Sequence, residues 1–88
     1  MSNANDFVIE KGSLQRYRGT DIHVIVPDGV KTIGNYAFRR YDEIRSVQLP
    51  ESVTKIGDCA FQDCIALEQV NIPENVKSIG AEAFRNCR

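Results

Sequence analysis

The sequence is poor in the residues and runs that define several classes of protein. It has no tryptophan, one histidine and three cysteines among 88 residues, and this cysteine content argues against a small disulfide-stapled domain. Eleven lysines and arginines stand against twelve acidic residues, for a net charge of −1. Without a basic excess to neutralise phosphates, no nucleic-acid partner is expected. The apolar stretches, such as Val24–Val26, are only a few residues long and far too short to span a bilayer, so no membrane insertion is expected.

The overall composition is that of a single globular domain. Apolar residues make up 42% and charged residues 26% of the chain, which excludes a disordered tail. Ser2, Asn3 and Ala4 are typical of the residues that an expression vector leaves behind, so residues 1–4 are set aside from the fold. No secretory apolar segment follows them, so the signal of an exported parent protein would lie upstream.

The strongest signal in the sequence is an internal repeat with a period of 23 residues. When residues 24–42, 47–65 and 70–88 are aligned, seven of the nineteen positions are identical in all three copies. The identical positions are Val24/Val47/Val70, Pro27/Pro50/Pro73, Val30/Val53/Val76, Ile33/Ile56/Ile79, Gly34/Gly57/Gly80, Ala37/Ala60/Ala83 and Phe38/Phe61/Phe84. The chain therefore divides into a first repeat (24–46), a second repeat (47–69) and an incomplete third repeat (70–88).

Each repeat begins with a pattern typical of a short strand followed by a turn. Val47–Leu49 alternates apolar, polar and apolar, which is the period of a strand with one buried face. Pro50 lacks an amide hydrogen for a strand ladder and ends the strand. The spacing of Val53 and Ile56 suits a tight turn that points both side chains inward. Gly57 fits a turn that needs positive φ or a close approach of backbone.

The remainder of each repeat favours a short helix, on which Ala60, Phe61 and Cys64 share one face. Leu67 then leads into the next strand. One coil cannot cover its own apolar face, so stacked coils must bury it jointly. The pattern predicts an α/β solenoid of about three coils, with one narrow parallel sheet and short helices opposite. The crossover rule for parallel strands predicts a right-handed superhelix.

The two ends of the chain are predicted to differ. Residues 5–23 do not fit the period and predict an N-terminal β-hairpin cap that turns at Lys11-Gly12. The residues expected to contact the first repeat are Phe7, Ile9, Leu14 and Tyr17. The third repeat has no polar cap after its Ala-Phe pair. An open strand edge and exposed apolar residues there predict self-association through the C-terminal end.

An Ile-Gly-x-x-Ala-Phe core stands at 33–38, 56–61 and 79–84, and in this core the sequence resembles the BspA-type leucine-rich repeat family. The first repeat region departs from the family pattern at Tyr41, where cysteine is usual, and at Asp21, where a leucine-type residue is usual. The resemblance implies a leucine-rich-repeat right-handed superhelix. It also implies a bacterial cell-surface or secreted protein that is linked to adhesion.

The residues give little support for an enzyme. His23 has no partner at metal-ligand spacing, so no zinc site is expected. The glycines follow the repeat and do not form a phosphate-binding loop. Cys64 and Cys87 share a repeat position and are predicted to stack in the core as apolar side chains, with a disulfide between them as the alternative. We expect no catalytic, cofactor-binding or metal-binding residues.

The candidate partner-binding surface is the outward face of the predicted sheet, where side chains alternate with the buried valines. These residues are His23, Ile25, Ser46, Gln48, Gln69 and Asn71. An acidic rim follows the strands and consists of Asp28, Glu51 and Glu74. The alternative interpretation of both sets is a solvated surface without a partner.

Two functions fit this architecture. One is a non-catalytic protein-interaction module within a larger surface or adhesion-type protein, because repeat arrays present extended binding surfaces. Its partner would be a protein, with a carbohydrate or matrix component as the further option. The alternative is a structural spacer or assembly repeat, with the binding chemistry elsewhere in the parent protein.

Overall fold

The computed structural model describes residues 4–87, so residues 1–3 of the segment attributed to a vector lie outside the described residues. The described part consists of short elements joined by turns. A 3-10 helix spans Ala4–Asp6. The strands are β1 (Phe7–Glu10), β2 (Ser13–Tyr17), β3 (His23–Ile25), β4 (Thr32–Ile33), β5 (Ser46–Gln48), β6 (Lys55–Ile56), β7 (Gln69–Val70) and β8 (Ser78–Ile79).

Equivalent strands of successive repeats pair in parallel and in constant register. The paired residues are 23 apart, as for Val24 with Val47 and Ile33 with Ile56. Two sheets result, a three-stranded sheet in the order β3-β5-β7 and a five-stranded sheet in the order β1-β2-β4-β6-β8. The repeat period seen in the sequence is therefore also the hydrogen-bonding register of the stack.

The prediction of a single narrow sheet is wrong. The segment predicted as a tight turn contains β6, whose Ile56 pairs with Ile33 on one side and Ile79 on the other. Ile56 does point inward, as predicted, and it is completely buried. A strand of two residues is too short for alternation to show in the sequence, which is why the pattern did not reveal the second sheet.

The predicted short helices are also absent from the described residues of the repeats. Cys59 and Asp63 adopt positive φ angles of 55° and 63°, and a left-handed residue interrupts a right-handed helix. Between these positions the chain forms turns, in which the amide of Gln62 donates to the carbonyl of Cys59 at 3.2 Å. A turn of this kind and a helical turn place apolar residues at similar spacings, so the sequence pattern did not separate them.

Alternate residues of these turns bond to the neighbouring repeat instead of to their own. The amide of Phe38 donates to the carbonyl of Ala60 at 2.7 Å, and the amide of Phe61 donates to the carbonyl of Ala83 at 2.7 Å. Each repeat is thus tied to the next along a third wall, in addition to the two sheets. This wall satisfies backbone groups that would otherwise be buried without partners.

The core is a stack of aromatic rings. The rings of Phe38 and Phe61 are 5.0 Å apart and inclined by 4°, and those of Phe61 and Phe84 are 5.1 Å apart and inclined by 5°. Tyr17 extends the stack with its ring 5.5 Å from that of Phe38, and Phe7 follows at 5.2 Å from Tyr17. The sequence predicted this phenylalanine ladder, and the structure adds the aromatic residues of the N-terminal segment to it.

The N-terminal segment packs directly on the first repeat. Strands β1 and β2 pair antiparallel, and β2 pairs in parallel with β4 through Leu14 and Ile33. Phe7, Leu14 and Tyr17 are buried, as expected. Ile9 is exposed, contrary to expectation, because the strand register shifts between Val8 and Ile9 and breaks the alternation that begins at Phe7. The hairpin therefore supplies both a strand and core side chains to the first repeat.

The glycines of the repeat permit close approach between neighbouring repeats. A methyl group on Gly57 would lie 2.7 Å from the amide nitrogen of Asn35, and one on Gly34 would lie 2.7 Å from the carbonyl oxygen of Leu14. Contacts this short are not tolerated without movement of the backbone. Close approach, rather than positive φ, thus explains why glycine occupies this position of the repeat.

Candidate functional site

The outward face of the three-stranded sheet carries all six side chains predicted for the partner-binding surface. Val24 and Val47 of this sheet point into the core, so the residues on either side of each valine point outward. His23 pairs with Ser46 and Ser46 with Gln69, while Ile25 pairs with Gln48. Ser46 is half-buried and the other predicted residues are exposed, namely His23, Ile25, Gln48, Gln69 and Asn71.

A hydrogen bond across the strands joins two members of this face. His23 Nδ1 and Ser46 Oγ are 2.7 Å apart. The bond fixes the orientation of the imidazole ring at one edge of the face, and the other ring nitrogen is not part of it.

Asn71 has a structural role that the sequence pattern did not show. Its Oδ1 accepts a hydrogen bond from the amide of Leu49 at 2.7 Å, and its Nδ2 donates to the carbonyl of Leu49 at 3.0 Å. At the equivalent place between the first two repeats, the amide of Val26 donates to the backbone carbonyl of Gln48 at 3.0 Å. The Asn71 side chain therefore replaces a backbone partner at the end of β7.

A shallow depression of about 330 Å³ lies on the face between β5 and β7. Its lining is polar and carries no charged side chain; it consists of Ser46, Val47, Gln48, Gln69 and Asn71. The glutamine amides each offer a donor and an acceptor to a ligand. This arrangement suits hydrogen bonding to a polar surface, and the Ser46 hydroxyl in its lining is already bonded to the His23 ring.

The acidic rim lies in the turns that follow the strands. Asp28, Glu51 and Glu74 are all exposed, and each directly follows the proline that comes shortly after a strand of the three-stranded sheet. None of the three lines the depression on the sheet face. The rim therefore borders the candidate surface and does not form part of its floor.

The two stacked cysteines serve the core as hydrogen-bond donors. The Cys64 thiol donates to the carbonyl of Phe38 at 2.9 Å, and the Cys87 thiol donates to the carbonyl of Phe61 at 3.0 Å. Burial, with a smaller contribution from nearby Cys87, raises the pKa of the Cys64 thiol from 9.0 to about 12. Burial also raises the pKa of Cys87. All three cysteines are free thiols, and Cys64 stays protonated at neutral pH.

A second candidate surface is the apolar end of the third repeat. Ile72 and Ile79 are 46% and 49% exposed, whereas their equivalents in the second repeat, Leu49 and Ile56, are 3% and 0% exposed. A depression of about 330 Å³ opens here, lined by Leu67, Glu68, Gln69, Val70, Ile72, Ile79, Phe84 and Cys87. Sequence analysis predicted apolar exposure at this end.

Residues 4–87 contain no group of three or more histidine, cysteine, aspartate or glutamate side chains placed to hold a metal ion. They also contain no helix of the length and apolarity that crossing a membrane requires.

Stacked repeats whose strands pair one repeat length apart place this chain among the repeat proteins of solenoid type. The model of the BspA type leucine rich repeat region matches residues 13–88, in six copies. The chain belongs to this family. A comparison with curated proteins finds no match.

Solved structures of bacterial leucine-rich repeat proteins are similar to nearly the whole chain. A T. pallidum leucine rich repeat protein is 29% identical with a TM-score of 0.88, over 97% of this chain and 45% of that one. A leucine rich cell surface protein from Faecalibacterium prausnitzii is 32% identical with a TM-score of 0.74, over 96% and 25%. A leucine-rich repeat protein from Bacteroides ovatus is 30% identical with a TM-score of 0.77, over 93% and 24%. The chain spans less than half the length of each.

Proposed function

We propose that the chain is a non-catalytic protein-interaction module whose binding surface is the outward face of the three-stranded sheet. The observation that carries this proposal is the pair of exposed, uncharged hydrogen-bonding side chains Gln48 and Gln69, on strands paired through Val47 and Val70. A rigid strip of this kind presents its polar groups with little entropy to lose on binding. Repeat arrays use such extended faces to bind partners.

The proposed parent is a bacterial surface or secreted protein with a role in adhesion. Support comes from the similar protein of Faecalibacterium prausnitzii, which is described as a cell surface protein. Under this proposal the ligand is a host or matrix protein. Binding of a matrix carbohydrate at the same face would keep the proposed surface and change the proposed class of ligand.

The proposed architecture of the module is a right-handed superhelix of about three coils. Residues 24–46, 47–69 and 70–88 form its repeats, and residues 5–23 form the cap. The burial of Phe7, Leu14 and Tyr17 against the first repeat supports the capping role.

The experiment that tests the binding face combines Gln48→Lys with Gln69→Lys. The chain would be screened against a panel of purified extracellular matrix proteins, and the double variant compared with wild type on every protein that binds. We expect binding to fall at least about tenfold, because a lysine pair blocks the face and leaves polar groups unpaired. Asn71 is left intact because it supports the fold.

The control for this experiment is Thr54→Lys combined with Ser78→Lys, which adds the same two positive charges at exposed residues of the other side of the molecule, just before β6 and in β8. Both variants should unfold at the wild-type temperature, so that a loss of binding reports on the face alone. Equal binding by wild type and the double variant would contradict the proposed face. Binding to none of the panel would favour the spacer function below.

We propose as the second candidate a structural spacer or assembly repeat that associates through its C-terminal end. The exposure of Ile72 and Ile79 favours this function, because an apolar patch ringed by strand edges promotes contact with a second copy. Light scattering over a concentration series should show mass increasing with concentration. Ile72→Lys combined with Ile79→Lys should abolish that increase. A wild-type chain that stays monomeric throughout would contradict it.

A further inference from the structure

Two adjoining depressions lie where the N-terminal hairpin meets the first repeat. One, of about 630 Å³, is lined by Val8, Gln15, Arg16, Arg18 and Tyr41. The other, of about 440 Å³, is lined by Arg16, Tyr36, Arg39, Arg40 and Tyr41. Arg16 and Tyr41 line both, so the two depressions form one continuous groove, which we call the arginine–tyrosine groove. None of its residues belongs to the sheet face proposed above.

The groove concentrates positive charge in a chain whose net charge is −1. Four of its eleven basic residues line the groove, and no carboxylate lines either depression among the described residues. The acidic groups nearby lie at its border. Asp63, which is half-buried, is 3.9 Å from the exposed Arg40. A third depression shares Arg40 and Tyr41 with the groove, and its lining includes Asp21, Asp42 and Glu43, so carboxylates stand at this end of the groove. Arg16, Arg18 and Arg39 line the part of the groove away from these carboxylates.

Arg39 is held in a defined position within the groove. Its guanidinium lies 5.3 Å from the centre of the Tyr36 ring, and its Nε donates to Gln62 Oε1 at 3.0 Å. These two contacts fix the plane of the Arg39 guanidinium group, and neither of them uses its two terminal nitrogens. Arg39 is therefore oriented in advance to receive an anionic group.

The side chains around the Arg39 guanidinium group determine which other chemical groups a ligand needs. The Tyr36 ring is half exposed, so it offers a flat apolar surface with a polar rim beside the arginines. Val8 is the one aliphatic residue in the groove lining, so the groove has no deep apolar pocket to anchor a peptide side chain. Sugar rings with acidic substituents match flat aromatic faces and arginine forks together.

We propose that the arginine–tyrosine groove is a binding site for an acidic carbohydrate, a sugar chain that bears carboxylate or sulfate groups. Planar guanidinium groups bind such anionic oxygens in pairs of parallel hydrogen bonds. The groove runs over both depressions and accommodates several sugar units. This site is independent of the protein-binding sheet face, so the two activities stand or fall separately.

The test uses a heparin hexasaccharide as the sulfated, uronic-acid-bearing probe, with binding measured by calorimetry at 0.1 M salt. A neutral maltohexaose of equal length and a polyglutamate peptide serve as comparison ligands. We expect the heparin fragment to bind and the neutral sugar to bind at least about tenfold more weakly, because it lacks the charged acceptors. Stronger binding of polyglutamate than of heparin would assign the groove to acidic peptides and overturn the proposal.

Two variants locate the binding site. Arg16→Ala combined with Arg18→Ala removes two exposed cations from the groove, and we expect about tenfold weaker binding of the heparin fragment. Tyr36→Asn removes the ring, and asparagine tolerates the positive φ of 62° at this position. We expect this variant to weaken binding of the heparin fragment by about threefold or more.

The matched control is Arg45→Ala, which removes one exposed arginine away from the groove. It should leave the affinity within about twofold of wild type at 0.1 M salt, where distant charges are screened. If single alanine variants at Arg16 and Arg45 weaken binding equally, the attraction is non-specific and the proposal is overturned. Absence of heparin binding by the wild-type chain would overturn it as well.

Discussion

The second and third repeats carry the same residues at key positions and differ in what covers them. Ile56 of the second repeat is completely buried, whereas Ile79, its equivalent in the third, is about half exposed. Phe61 lies between two phenylalanine rings, while Phe84 has a ring on one side only. In a stacked fold, the energetic weight of a residue is therefore set by its neighbours in the stack as well as by its type.

The largest effect should come from removing a ring in the middle of the stack. Phe61→Ala should lower the free energy of unfolding by about 3–5 kcal/mol, because it opens a cavity between two repeats. Phe84→Ala should cost clearly less, since its ring is only partly buried. Urea denaturation of both variants measures the difference, and equal losses would contradict the stacked arrangement.

A methyl group added at the repeat glycine should also destabilise the second repeat more than the third. Gly57→Ala should cost about 1–3 kcal/mol, since the new carbon is forced against the backbone of Asn35. Gly80→Ala meets Asp58 in the same way, but the third repeat can shift outward, so its loss should be smaller. Thermal unfolding monitored by circular dichroism would show this order, and the reverse order would be incompatible with it.

Asn71, whose side chain replaces a backbone partner at the end of β7, can be compared with Gln48, its equivalent in the second repeat. Asn71→Ala should cost about 1–2 kcal/mol, because the buried amide of Leu49 loses its acceptor. Gln48→Ala should change stability by less than about 0.5 kcal/mol, because the bond to Val26 uses the backbone carbonyl of Gln48. Chemical denaturation of the two variants provides the measurement. A Gln48→Ala loss as large as that of Asn71→Ala would refute this division.

The last comparison concerns the pH dependence of stability, which has no effect at neutral pH and shows only above pH 9. The pKa of the Cys64 thiol rises from 9.0 to about 12 in the fold, so the folded state disfavours its ionisation. The corresponding stabilisation is complete below pH 9 and is lost as pH rises from 9 towards 12. The difference in unfolding free energy between wild type and Cys64→Ala should therefore shrink over that range. For Cys87→Ala, in the third repeat, the difference in unfolding free energy from wild type should change less with pH. A difference for Cys64→Ala that stays constant between pH 9 and 12 would contradict the prediction.

The sequence allowed much of this fold to be predicted, because identical residues at constant spacing have one simple arrangement. The repeat predicted the parallel register, the buried valines and the phenylalanine ladder, and family membership follows from the same motif. The second sheet was missed because Lys55–Ile56 is too short to show a period. The helices were predicted wrongly because turns with left-handed Cys59 and Asp63 space apolar residues as a helical turn does.

The candidate binding surfaces were predictable only in part. Alternation within Ser46–Gln48 correctly identified the outward residues of the sheet. The arginine–tyrosine groove joins residues of the hairpin to residues of the first repeat, and no periodic pattern relates Arg16 to Arg39. The role of Asn71 depends on where β7 ends, which is a backbone detail that residue type does not specify.

The constant register has a consequence for how the chain folds and changes in length. Each pairing between repeats closes a loop of the same 23 residues, so each addition costs the same chain entropy and gains the same contacts. Folding can start at any adjacent pair and extend in either direction. Such an array can gain or lose whole repeats without a new topology, which makes its reach adjustable in fixed steps.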